Sequence, residues 1–118
     1  MSEQEKSRNY FRLEYPKEAR PVIKLGKYDY SVINLCERGV KLVFHPAKTR
    51  DHLAVADTVT ATITFHDANS TQVVGKVLRF DKDALVLELS EGIPLQRIMV
   101  EQRYLLGKYG NLKLPYTM

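Results

Sequence analysis

Two arginines four residues apart, Arg8 and Arg12, and the hexapeptide Asn34-Leu35-Cys36-Glu37-Arg38-Gly39 are the stretches best equipped for chemistry. A guanidinium forks onto a phosphate or onto the O6/N7 edge of guanine, and its plane stacks on a base. Asn34 can both accept and donate, so it can read a base edge. Gly39 supplies either a positive φ or room for a ligand to come close. Each stretch also has a plain counterpart. An arginine pair suits a solvated arm, and an Asn/Gly stretch suits an ordinary turn. Only together, brought to one place by the fold, would they clamp an anionic nucleotide.

Other chemistries find less support. His45, His52 and His66 have no short ligand spacing, so no metal site is expected. The single cysteine, Cys36, excludes an internal disulfide and a cysteine-based zinc cage, and it has no evident histidine partner. Phosphate-cradling glycine loops are absent and the carboxylates form no paired motif, so neither an enzyme nor a bound cofactor is expected. The net charge of +4 suits a small anion or a polyanion. The polar N-terminus shows no signal sequence, and no apolar run approaches the ~18 residues of a membrane span. A cytoplasmic protein without membrane insertion is the expectation.

The elements that must position these residues are mostly strands. The 118 residues, 44% hydrophobic, suffice for one domain with one core. Residues 1–17 read as a polar arm, with Tyr15-Pro16 breaking any helix. Six strands are expected, at 19–25, 28–33, 40–44, 58–65, 72–80 and 84–89. The fourth is the clearest, because Thr58, Thr60, Thr62 and Thr64 alternate with Val59, Ala61, Ile63 and Phe65. The fifth and sixth read as a hairpin through Asp81-Lys82-Asp83. Gly75, inside the fifth, implies a bulge or a close approach. The period then changes, and Leu95, Ile98, Met99, Leu105 and Leu106 fall near one face of a helix at 94–106, with Glu101 elsewhere. The expected fold is mainly β: a six-stranded antiparallel β-barrel over 18–90, a C-terminal α-helix, and a tail at 107–118.

In this order, Arg8-Asn9-Tyr10-Phe11-Arg12, a strand, Asn34-Leu35-Cys36-Glu37-Arg38-Gly39 between strands two and three, then a barrel and closing helix, the whole chain resembles the PilZ domain family. The family motifs are Arg-x-x-x-Arg and Asp/Asn-x-Ser-x-x-Gly, and its members are bacterial receptors for cyclic di-GMP. The resemblance implies that Arg8 and Arg12 bind phosphates and guanine, and that Asn34, Cys36 and Gly39 line the guanine pocket. It extends to Gly75, where relatives carry a similar glycine, and it offers Phe80 as a base-stacking ring, although a core phenylalanine fits equally. Two departures stand out. Cys36 replaces the family serine, and Ala84-Leu85-Val86-Leu87 lacks a glycine that relatives carry nearby. Ser7, in place of a further arginine, favours one ligand molecule per chain.

The resemblance implies a second-messenger adaptor. Binding cyclic di-GMP would change its surface and so regulate a protein partner, with a motility, biofilm or exopolysaccharide output. One alternative is a degenerate PilZ domain acting only by protein contacts. Another is a small basic barrel that stacks single-stranded nucleic acid on Tyr28 and Tyr30; nucleic acid is not the expected partner.

Overall fold

Strict alternation of apolar and polar residues requires each strand to bury one face, and the chain satisfies this by rolling its sheet closed. The computed structural model describes residues 12–45 and 53–110. In chain order the strands are β1 (Leu13–Glu14), β2 (Val22–Leu25), β3 (Tyr28–Cys36), β4 (Gly39–Val43), β5 (Thr58–Thr64), β6 (Ser70–Asp81) and β7 (Ala84–Glu91). They are followed by the helix α1 (Leu95–Lys108). Every pairing is antiparallel, in the order β1-β3-β2-β5-β6-β7-β4, and a further β3–β4 pairing closes the ring. The result is a closed six-stranded barrel with one extra short strand and one C-terminal helix, as the sequence leads one to expect. Closure leaves none of the six barrel strands with an unpaired edge.

The core is filled from every strand. Ile23, Val32, Leu42, Ile63, Leu85 and Ile98 are each completely buried. The threonine strand behaves as its periodicity requires, with Ala61 and Ile63 inside and Thr58, Thr60 and Thr64 exposed.

Three departures from the sequence reading have physical causes. First, the N-terminal segment does not run free to residue 17. Leu13 and Tyr15 are buried in the core, and β1 pairs with β3. Leu13-x-Tyr15 is itself an alternating pair. Pro16 does not end that strand in solvent but starts a detour through a single 3-10 turn at Lys17–Ala19, after which β2 resumes along the same side of β3.

Second, the Asn34 stretch is strand rather than loop. β3 runs on through Cys36, because β1 and β4 flank it on both sides, and only Glu37 and Arg38 form the turn.

Third, α1 is rotated relative to its expected apolar face. Ile98, Glu101 and Leu105 point inward, while Leu95, Met99 and Leu106 stay exposed. The cause is the polar network around Glu101 described below. The expected tail is outside the described residues from residue 111 onward, as is Arg8.

Candidate ligand-binding site

A bulge creates the site. Strict alternation from Val32 would aim Asn34 into the barrel. The β3–β4 register instead slips between Val32 and Asn34, so Leu35 takes the inward position and Asn34 and Cys36 turn outward, half-buried. Bulges re-aim side chains in this way beside functional sites. On the other side of β3, β1 pairs Leu13 with Leu35 and Glu14 with Asn34. Leu13 is buried, so its neighbours Arg12 and Glu14 face outward beside Cys36 and Asn34.

The sheet extends this face into two rows. Cys36 lies opposite Gly39, Gly39 opposite Glu88, Glu88 opposite Lys76, and Lys76 opposite Thr58. In the parallel row Glu14 lies opposite Asn34, Asn34 opposite Lys41, Lys41 opposite Val86, and Val86 opposite Arg79. The structure therefore brings Arg12, Asn34, Cys36 and Gly39 onto one outer face. Lys41 and Arg79, which the sequence did not assign to this group, join them. Their signal was present only as register: Lys41 sits across a ladder from Asn34, and Arg79 lies further along the same row, opposite Val86. Both cations contact Asp81, at 4.0 Å from Lys41 and 3.1 Å from Arg79. The first row ends in an open depression of about 300 Å³ lined by Thr58, Lys76, Glu88 and Ser90.

The site residues play different roles. Gly39 is not in the left-handed region. A Cβ there would stand 3.5 Å from Cys36 Sγ and 3.6 Å from the Leu87 carbonyl, which is ordinary contact. Neither backbone nor packing demands glycine at this position. Cys36 is a free, half-buried thiol. Asn34 Nδ2 donates to Glu14 Oε2 at 3.4 Å.

Gly75 and Phe80 stand apart from this group. Gly75 borders the depression, but it is buried, and a Cβ there would collide with the Glu88 carbonyl of β7. Its requirement is strand packing at a bulge. Phe80 packs its ring on Phe44, 5.9 Å between centroids, at the edge of the core. The core role explains it without a base to stack on.

A second polar group ties β1, the β5–β6 turn and α1 together. Glu101 is 1% exposed; its Oε1 accepts from Tyr15 Oη at 2.9 Å, and its Oε2 accepts from Arg97 Nη1 at 3.1 Å and lies 2.7 Å from His66 Nδ1. Arg97 also reaches Asp67 at 3.1 Å and lies over the Phe65 ring, and His66 stacks on Tyr104 at 3.7 Å. His66, Asp67 and Glu101 have the donor types of a metal site. The Arg97 guanidinium bridges both carboxylates and supplies the positive charge a cation would bring. The sequence reading missed Glu101 because a charged residue is normally assigned to the wet face of a helix. Its i, i+3, i+7 relation to Ile98 and Leu105 was the available signal.

Burial first, then the charge of Glu101 and the hydrogen bond to it, push the Tyr15 phenol far above its ordinary value of 10.0. The fold therefore holds the proton. The Tyr15 contribution to stability is whole below about pH 10 and is lost as pH rises further. An alkaline titration followed by phenolate absorbance should show one of the seven tyrosines ionising only as the protein unfolds. Tyr15→Phe should remove that step.

No family model matches the chain, and no curated protein matches it. Solved structures do. A Legionella protein described as uncharacterized, Lpg0364, shares 15% identity with a TM-score of 0.56, covering 86% of this chain and 100% of that one. The Bacillus subtilis Inhibitor of motility, MotI/DgrA, shares 14% identity with a TM-score of 0.58, covering 89% of this chain. The match spans only 53% of that second protein, about half its length. At these identities the likeness is one of fold.

Proposed function

We propose that this protein is a cytoplasmic, non-catalytic receptor of PilZ type, which binds cyclic di-GMP on the outer face of β1, β3 and β4 and passes the signal to a protein partner. The observation that carries this reading is the β1–β3 pairing, which sets Arg12 on the face that presents Asn34, Cys36 and Gly39. Arg12 would fork onto a phosphate, with Arg8 adding a second guanidinium from four residues upstream. Asn34 would read guanine, and Gly39 would let the ring lie against the sheet. Fold likeness to a protein named as an inhibitor of motility agrees with a regulatory role.

Two connections lead from this face to α1. Tyr15, one residue beyond Glu14, donates to Glu101 on the helix. The turn at Glu37 and Arg38 is tied to β7 and to the strand–helix connection, because the amides of Leu89 and Ile93 donate to the Arg38 and Glu37 carbonyls at 2.9 and 3.0 Å. A ligand that shifts β1 or this turn would therefore shift the helix surface. Reading the barrel as a nucleic-acid binder is less favoured, because Tyr30 packs toward the core on Phe44, at 5.4 Å.

Calorimetry with cyclic di-GMP tests the proposal. The intact protein should bind, and Arg12→Ala should weaken binding by about thirtyfold or more, since a lost arginine–phosphate contact costs on the order of 2–5 kcal/mol. Cys36→Ser restores a hydroxyl and should tighten binding by up to roughly tenfold. Equal heats for the parent and Arg12→Ala would remove the assignment.

A further inference from the structure

Glu14 belongs to no motif, yet it occupies the centre of the proposed site. It faces outward one pairing step from Arg12, directly across the ladder from Asn34. An acid amid the cations of an anion-binding face is costly unless it meets donors. The Asn34 amide is one such donor, at 3.4 Å. That contact also fixes the amide: its NH2 points at Glu14, so its carbonyl oxygen points the other way. The pair then offers acceptors on both sides, the Asn34 Oδ1 and the Glu14 carboxylate.

We infer that Glu14 is the base-selecting residue of this site, its carboxylate pairing with Asn34 to recognise the N1–H and 2-amino donors of guanine. This rests on the cyclic dinucleotide reading above. Guanine presents two adjacent donors on its Watson–Crick edge. Adenine presents a single donor, its 6-amino group, beside the N1 lone pair, which a carboxylate repels. Charge-assisted hydrogen bonds are the stronger kind, so a carboxylate discriminates where an amide alone does so weakly. Spacing along the chain from Arg12 into β1 agrees with divided labour. Residues i and i+2 of a strand stand about 6.7 Å apart on one face, so Arg12 can hold a phosphate while Glu14 holds a base.

The experiment is calorimetry with cyclic di-GMP and cyclic di-AMP on the intact chain, Glu14→Gln and Arg12→Ala, with thermal melts of each. Glu14 is on the outer face, so its variant should melt like the parent. The parent should prefer the guanine ligand. Glu14→Gln should weaken cyclic di-GMP binding by roughly ten- to a hundredfold while leaving cyclic di-AMP unchanged or tighter. Arg12→Ala should weaken both alike. If Glu14→Gln tightens both ligands equally, the carboxylate only repels phosphate and the inference is overturned. Unchanged discrimination in Glu14→Gln overturns it as well. A parent that binds neither dinucleotide overturns the receptor reading itself, and this inference with it.

Discussion

Arg97→Met is expected to destabilise the protein by about 3 kcal/mol, because breaking a buried ion pair strands the remaining charge. For a domain of this size that lowers the melting temperature by roughly 10–15 °C. Glu101 is 1% exposed, and Arg97 bridges it to Asp67 with only 16% of its own side chain exposed. Without the guanidinium, the carboxylate keeps Tyr15 and His66 but has no permanent cation. Combining Arg97→Met with Glu101→Leu should recover part of the loss, since apolar replacement of a buried pair is often neutral, while Tyr15 Oη, left without its acceptor, keeps the double variant below the parent. Thermal melts of the single and double variants check both statements. A single variant as stable as the parent would show that the network is not buried in solution.

The glycines should divide sharply. Gly75→Ala is expected to cost about 3 kcal/mol, the upper range for overpacking, because the new methyl meets backbone rather than a side chain that can move. Its neighbours are the Glu88 carbonyl and, at 3.0 Å, the Leu89 Cα. Gly92→Ala should behave similarly, as its Cβ would enter the Glu37 carbonyl. Gly39→Ala should stay within about 0.5 kcal/mol of the parent, having only ordinary contacts to make. Denaturant unfolding of the three variants measures this. Under the receptor reading, Gly39→Ala should keep its stability and still lose affinity, which separates a ligand-facing glycine from a packing one.

The barrel was legible because strands advertise themselves by a period of two, and the threonine strand shows the pattern without interruption. Strand ends were less legible because they depend on neighbours. Cys36 is in a strand because it pairs with Gly39 of β4 across the Glu37-Arg38 turn, a pairing that an Asn/Gly stretch does not announce. The candidate face was half legible. The types and spacing of Arg12, Asn34 and Gly39 could be seen. The bulge that turns Asn34 outward could not, since a one-residue slip in register leaves no mark on composition. Lys41, Arg79 and Glu14 became visible only through pairing across the sheet. Glu101 was misplaced because its burial depends on partners from two remote segments, Tyr15 and His66.

The orientation of α1 carries its own consequence. Ile98, Glu101 and Leu105 define one stripe, and Leu95, Met99 and Leu106 define another, displaced by about a hundred degrees around the axis. The barrel is offered two seams and grips the one that contains an acid. The energy separating these two ways of seating the helix is therefore a difference between opposing quantities, ionic contacts against greasy surface left wet. A change that removed the Tyr15 contact and one that covered Leu95 and Met99 would both act on that difference, from opposite sides of the helix.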